Sequence, residues 1–366
     1  MFSKILNKCN TIINSAIGKI HLFFEKTGLV KKIEFEVYKR EENSVSVNFD
    51  YPVNFDKNDE PLFAHYNLYQ TGKEEIFKLK NVSVSKEGVV FSGMNNFGPA
   101  LPHPLFRATY GWLYILNKYI NGKTLTGSSV KTYVLIHDFW SAANYYHWLV
   151  DTLPRLCIIG NELKQKDHVL ILPANPPKFI ISTLAYFEID SFIYLENNEY
   201  IAVDNLLMPN YLAGSGRIHP EKVFDLKKFF LGKINSQVSK ERLYVSRARQ
   251  KSRKIANERE VVNVMRQFGF ETVYFEDYTF EQQIELVQNC KFLVSSHGAN
   301  LTNTLFMPQG SKVIELIRFD KPNFCYWALA NVAKLDYYYQ LCQLQKGDNL
   351  VVDTEKLRNN LITILK

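Results

Sequence analysis

Apolar residues recur along this chain in two rhythms. From Arg242 to Ile317, short apolar runs alternate with stretches whose apolar positions repeat at helical spacing. That alternation predicts βαβ units around a parallel sheet. Strands are expected at Leu243–Ser246, Glu271–Phe275, Phe292–Ser295 and Lys312–Ile317. Val261, Val264, Met265 and Phe268 fall at i, i+3, i+4 and i+7, which is one helical face. Asn257 followed by Glu260 predicts a capping box at its start, and Gly269 predicts its end. Thr279 and Gln282 repeat the box ahead of Phe280, Ile284 and Val287.

Upstream the rhythm changes. Residues 33–100 alternate with period two at Ile33–Val37, Val45–Phe49, Val82–Ser85 and Val89–Phe91, predicting a β-rich leading region. Residues 105–235 predict a second α/β unit. Its strands are Thr132–His137, Val169–Leu172 and a pair at Ala202–Val203 and Leu206–Met208. Its helices are Ala142–Leu149 and, after Pro176-Pro177, Phe179–Phe187. A helix over Phe324–Lys334, an aromatic strand at Tyr337–Tyr339 and a last helix capped by Asp353 complete the chain.

The expected division is therefore 1–32, 33–235, 236–345 and 346–366. Residues 1–32 read as an amphipathic basic helix, suited to an anionic membrane surface or to packing on the body of the protein. His103 reads as a structural loop histidine, and Gly214–Arg217 as a linker.

Composition narrows the class. The 366 residues are 46% hydrophobic and 22% charged, the balance of a soluble globular protein. The 44 basic against 37 acidic residues leave a net charge of +7, which suits phosphate-bearing substrates or an anionic surface. There is no dense Lys/Arg run and no nucleic-acid motif. Five scattered cysteines without a C-x-x-C pair argue against a disulfide framework or a zinc site and fit a reducing compartment. No apolar run reaches the length of a membrane span, and the first residues lack a signal peptide's apolar core.

Two stretches carry candidate chemistry. Ser295-Ser296-His297-Gly298-Ala299-Asn300 follows a strand and opens a helix, a junction where backbone N–H groups and the helix dipole meet an anion. Ser246-Arg247, with Arg249 and Arg253, follows another strand's C-terminal end, where open α/β sheets bind ligands. Guanidinium forks suit diphosphate oxygens. In one βαβ array these stretches predict a nucleotide-diphosphate site, with Glu315 as a candidate for the ribose hydroxyls.

Asn144-x-x-His147-Trp148-x-x-Asp151-x-x-Pro154-Arg155-Leu156 forms a further ordered set with Tyr244-x-Ser246-Arg247, Asn257-Glu258, Gln282-Gln283-Ile284 and His297-Gly298-Ala299. Over roughly residues 80–320 it resembles glycosyltransferase family 61, once known as a domain of unknown function in bacterial capsule proteins. That family includes O-GlcNAc transferases of the endoplasmic reticulum and plant xylosyl- and arabinosyltransferases. Asn300 departs from it, since glycine often follows His-Gly-Ala there. The resemblance implies a GT-B-like α/β fold of two Rossmann-like domains facing a cleft, with the donor nucleotide on the C-terminal one. It also implies inverting transfer of a hexosyl or pentosyl group from a UDP-sugar. No Asp-x-Asp occurs in the chain, and transfer without metal or cofactor is expected.

On that basis Ser246, Arg247, Arg253, His297, Gly298, Ala299, Asn300 and Glu315 are expected to hold the donor. Asn144, His147 and Asp151, at i, i+3 and i+7, are expected on one helical face as the catalytic group. Asp151 is the favoured base and His147 its partner or alternative, with His137 and Asp138 next in line. The acceptor is expected to be a glycan or lipid-linked glycan of capsule or lipopolysaccharide synthesis. The location is expected to be the bacterial cytoplasm, with peripheral contact to the inner membrane. The competing readings are another GT-B transferase moving a pyruvyl or sialyl group, and a non-catalytic module binding a polyanion or nucleotide. Retention of Asp151 and Arg247 favours catalysis over the latter.

Overall fold

The computed structural model describes residues 33–41, 44–103, 105–214, 216–238, 240–345 and 347–365. The predicted amphipathic segment 1–32 lies outside them. The architecture is mixed α/β, built on two large sheets and a small two-stranded one.

The C-terminal sheet has six strands. Arg242–Val245 lies between Glu271–Val273 and Phe292–Ser296. Lys312–Arg318, Asp336–Leu344 and Leu350–Val351 follow in order. The first five strands pair in parallel and the last pairs antiparallel. Numbered locally, the order is 2-1-3-4-5-6, a doubly wound sheet that reverses between its first and third strands. Near-continuous burial of Leu293–Ser296 and Val313–Ile317 is what helices on both faces require.

The nine-stranded N-terminal sheet is mixed. Phe192–Leu195, His168–Pro173, Thr132–Val134 and Glu199–Pro209 run parallel, side by side in that order. Glu74–Ser85 then adds antiparallel to Glu199–Pro209 and carries the remaining leading strands. The parallel part reverses direction between Thr132–Val134 and Glu199–Pro209. Each sheet therefore has one switch point, a crevice beyond the carboxyl ends of two strands.

Local expectations fared unevenly. Strand Glu271–Val273 ends two residues early because Phe275–Asp277 turns into a 3-10 helix. The long strand Glu199–Pro209 replaces the expected pair of short ones. Only Ser46–Val47 of the expected strand Val45–Phe49 forms. Thr279 and Gln282 make the full capping box, and Asp353 caps the last helix. The expected box at Asn257 is absent. Its amide instead exchanges hydrogen bonds with the Val352 backbone, donating at 2.8 Å and accepting at 3.0 Å. Gly269 sits at φ +75° beyond the helix Glu258–Gln267, as its position predicts.

One apolar cluster runs through both sheets. It joins Val134, Leu170 and Leu207 to Leu243, Leu293 and Val313 through the helices between. The leading chain around residues 50–66 packs on the C-terminal sheet. Trp327 Nε1 donates to Asp50 O at 2.9 Å, and Asn54 Nδ2 donates to Tyr339 O at 2.8 Å. Phe63 stacks on Phe324. Arg217, expected in a plain linker, pins its loop by donating to His65 O and lying over the Tyr69 ring. Among the described residues no helix is long and apolar enough to cross a membrane.

Candidate active site

The switch point of the C-terminal sheet lies beyond Val245 and Ser296, where the sequence continues as Ser246-Arg247 and His297-Gly298. The structure brings these two stretches into contact. A Cβ placed on Gly298 would lie 2.0 Å from Arg247 Nη1 and 2.4 Å from its Cζ. The guanidinium thus rests flat against the glycine, and only glycine permits it. Gly298 is extended, so the requirement is closeness and not backbone strain.

Arg247 is 5% exposed, and its Nε has no hydrogen-bond partner among the described residues. Its one bond is a long contact from Nη2 to Ser252 O, 3.5 Å. Burial, and then the neighbouring Arg253 charge, pull its pKa below the usual guanidinium range. Arg253 is held at φ +57° and forms no ion pair among the described residues. Two arginines side by side, one of them buried without a carboxylate, are electrostatically incomplete. Beside them, Ser296 Oγ and Asn300 Nδ2 are also buried without partners. The eight-residue 3-10 helix Ala299–Phe306 begins here; Leu301 N donates to Gly298 O at 2.9 Å, so the N–H groups of Ala299 and Asn300 are the ones its first turn does not use. An anion would satisfy this whole set.

Two of the expected donor residues, and Arg249 of the same loop, are engaged within the protein. Glu315 is fully buried, with one oxygen 2.5 Å from His297 Nδ1 and the other accepting from Tyr337 OH at 2.5 Å. Both oxygens are thus engaged within the protein, and Glu315 fixes the His297 ring. Ser246 Oγ donates to Glu258 and accepts from Ala248 N, so it shapes the arginine loop from beneath. Arg249 is exposed, donates through Nη1 to both Asp277 oxygens and lies over the Tyr274 ring.

The second centre lies beyond the N-terminal sheet's switch point. Asn144 is not on the predicted face. It caps the short helix Tyr145–His147, accepting from Tyr146 N at 2.9 Å. The helix then widens into a π turn, Trp148–Thr152, before continuing as Leu153–Leu163. Pro154, near the start of that last segment, has no N–H to give and would crowd the carbonyl four residues back. The widened turn, in which Leu153 N–H reaches Trp148 O, accommodates it. His147 and Asp151, four residues apart, meet as neighbours on one helical face do, with Nδ1 2.7 Å from Oδ2.

Burial alone would lower the His147 pKa, but the Asp151 hydrogen bond and charge outweigh it and hold it above the ordinary value. Burial pushes the Asp151 carboxyl up against the opposing pull of His147. Because Asp151 occupies Nδ1, Nε2 is the ring nitrogen left for chemistry.

The fallback candidates are structural. His137 is buried, is pulled down by burial and bonds Lys86 O through Nε2. Asp138 accepts from Trp140 N, Ser141 N and Tyr211 OH. Arg155, fully buried, ties the same strand ends together by donating to Ile136 O and Pro209 O. His103 stays a loop residue, accepting from Leu105 N.

The two centres face each other across a pair of tyrosines. His147 meets Tyr146 at 5.4 Å, Tyr146 meets Tyr326 at 5.4 Å, and Tyr326 meets His297 at 5.1 Å between ring centroids. Burial raises both phenols, which stay neutral. Next to Tyr146, Tyr145 donates to Asn303 Oδ1 at 2.7 Å, and Asn303 donates to Gln283. A cavity of about 500 Å³ opens beside this contact. Phe179, Phe275, Tyr278, Ala299 and Asn300 line it.

Sequence reasoning did not single out Tyr146, Tyr326 or the turn Asp138–Ser141. A signal for the turn was present: an acid followed by two aromatics directly after a strand, His137-Asp138-Phe139-Trp140.

Residues 145–314 match the family model described as Glycosyltransferase 61. The chain is 31% identical over 153 residues to protein O-linked-mannose beta-1,4-N-acetylglucosaminyltransferase 2 of Bos taurus, covering 40% of this chain and 26% of that protein. The Homo sapiens protein of the same name is 36% identical over 115 residues, 30% of this chain and 20% of its own length. The EGF domain-specific O-linked N-acetylglucosamine transferase of Drosophila melanogaster is 33% identical over 97 residues, 26% and 18% respectively. The alignments thus span about a quarter or less of these curated relatives.

Proposed function

We propose that this chain is a family 61 glycosyltransferase that moves a sugar from a UDP-sugar to a glycan hydroxyl with inversion at the sugar carbon. The observation that carries the reading is the unpaired, buried Arg247 laid against Gly298, with Arg253 beside it. The match over 145–314 and the named relatives support a transferase of this class. The diphosphate is placed on Arg247, Arg253 and the N–H groups opening Ala299–Phe306, with the His297 ring held alongside by Glu315. These groups would stabilise the charge that grows on the departing diphosphate. The neighbouring cavity is assigned to the nucleoside. Its volume of about 500 Å³ and its Phe275 and Tyr278 lining suit a base and ribose. On this reading the two sheets form the two halves of a GT-B arrangement.

Inversion requires a base on the face of the sugar opposite the diphosphate. His147 Nε2 takes the acceptor proton, and Asp151 holds the ring through Nδ1 and balances the imidazolium that forms. This reverses the roles expected from sequence, where Asp151 was the base. The acceptor is a glycan or lipid-linked glycan, and the proposed setting is surface-polysaccharide assembly. Calorimetry with UDP tests the site. Tight binding that is lost in Arg247→Ala supports it, whereas no UDP binding by the native protein removes it.

A further inference from the structure

The turn after strand Thr132–Val134 does something the base and the diphosphate site do not require. Asp138 is 2% exposed, and its Oδ1 accepts from Trp140 N at 2.7 Å and Ser141 N at 3.0 Å. Its Oδ2 accepts from Tyr211 OH at 2.7 Å, and Ser141 Oγ accepts from Asp138 N at 3.0 Å. A fully satisfied buried carboxylate therefore clamps four residues. What the clamp holds outward is Phe139 and Trp140, both only partly buried. A turn held this rigidly around two half-open aromatic rings lacks the usual reason for burying an acid, because those rings do not enter the core.

The rings form a continuous wall. Phe139 and Trp140 lie 5.3 Å apart, and Phe106 meets them edge-on at 4.7 and 5.1 Å. Tyr110 closes the far side, 5.2 Å from Phe139. At the near end the Trp140 indole stacks on the His147 imidazole, 5.1 Å apart and 20° from parallel. The wall thus starts at the proposed base, whose ring also meets Tyr146 on the path to Tyr326 and His297. It also stands at the switch point between Thr132–Val134 and Glu199–Pro209, where an open sheet binds ligand.

We infer that Phe106, Phe139 and Trp140 form the acceptor platform, on which a pyranose ring of the acceptor saccharide stacks its apolar C–H face and presents a hydroxyl to His147 Nε2. Flat rings with partly open faces bury the C–H side of a sugar while its hydroxyls stay wet. This rests on the transferase reading above, which places the base at His147.

The experiment uses a printed glycan array probed with the full chain in the presence of UDP. It compares the native protein with Phe139→Leu and Phe139→Tyr, and UDP binding to each is followed by calorimetry. Leucine keeps apolar bulk without a ring face, and tyrosine keeps the ring. The native protein and Phe139→Tyr are expected to bind a common subset of glycans, while Phe139→Leu loses that signal at least tenfold. UDP affinity and thermal midpoint are expected to stay unchanged in both variants. Equal glycan binding by all three proteins, or by none, overturns the platform. So does loss in Phe139→Leu accompanied by a lower thermal midpoint. Absence of UDP binding by the native protein refutes the transferase reading instead, whatever the array shows.

Discussion

Arg247 and Gly298 make a pair in which neither residue can change alone. Arg247→Ala removes a charged donor and should weaken UDP binding by roughly 1.5–3 kcal/mol in calorimetry. Gly298→Ala keeps every charge but puts a methyl group 2.0 Å from Arg247 Nη1, so the guanidinium must leave its place. UDP affinity should therefore fall as far as in Arg247→Ala, even though no donor has been deleted. If Gly298→Ala binds UDP normally, the arginine does not work from where it rests. The His147–Asp151 pair is tested through pH. A base must be unprotonated, so kcat/KM rises with pH as His147 loses its proton. Asp151 stabilises the imidazolium and holds that pKa above the ordinary 6.5, so the midpoint of the rise should lie above 6.5. Asp151→Asn removes the stabilising charge and should shift the midpoint down, with turnover at least about a hundredfold lower. His147→Ala should be at least as impaired. An active His147→Ala beside an inactive Asp151→Asn would return the base to Asp151.

At the scale of elements, what could be read from sequence followed what was locally encoded. The capping box at Thr279 is an example, because both partners lie within one turn. Thr279→Ala should cost about 1 kcal/mol in chemical denaturation, the usual worth of such a cap, with UDP binding intact. Three of the four strands expected between Arg242 and Ile317 were legible because parallel strands buried on both faces are nearly unbroken apolar runs, whereas the edge strand Glu271–Val273, exposed at its start, was read two residues too long. The leading region was harder. Glu74–Ser85 and Glu199–Pro209 are single long strands whose polar residues, such as Lys80 and Asp204, split the apolar signal into short pieces. Asn257 carried the right residues for a box, but a partner 95 positions away, Val352, took its amide. The site shows the same division. The arginine and glycine stretches were visible as strand-end motifs. Helical spacing put His147 and Asp151 on one face, where they meet, but it could not show that the helix begins only at Tyr145 and leaves Asn144 as its cap. Nor does any local pattern reveal that Glu315 and Tyr337, paired across neighbouring strands, orient His297.

Across the whole molecule, the decisive feature is that the two sheets share one apolar core between them, although each also packs a cluster of its own. The apolar cluster reaching from Val134 and Leu207 to Leu243 and Val313 is continuous, and the leading chain at Asp50–Phe63 crosses to dock on Trp327 and Phe324. Polar ties add to it. Lys227, on the helix Pro220–Leu231, donates to Met307 O at 2.7 Å and to Ala333 O at 3.3 Å, at the ends of two helices of the C-terminal half. A ligand held by one half should then be felt by both. If UDP is the ligand proposed above and binds only the folded chain, then at a hundred times its dissociation constant it should add about 2.7 kcal/mol to the stability. Because the core is shared, that gain should appear as one unfolding transition moving upward intact in calorimetry. Tryptophan fluorescence offers a check, since Trp148 packs in the N-terminal half and Trp327 in the C-terminal half. Single-tryptophan variants reporting from either residue should give the same midpoint and the same shift with UDP. If only the Trp327 signal moves, the halves unfold independently, and the aromatic bridge of Tyr146 and Tyr326 is a contact between separate domains. Equal shifts would mean that the same packing that fixes the distance between base and diphosphate also carries the stability of the chain.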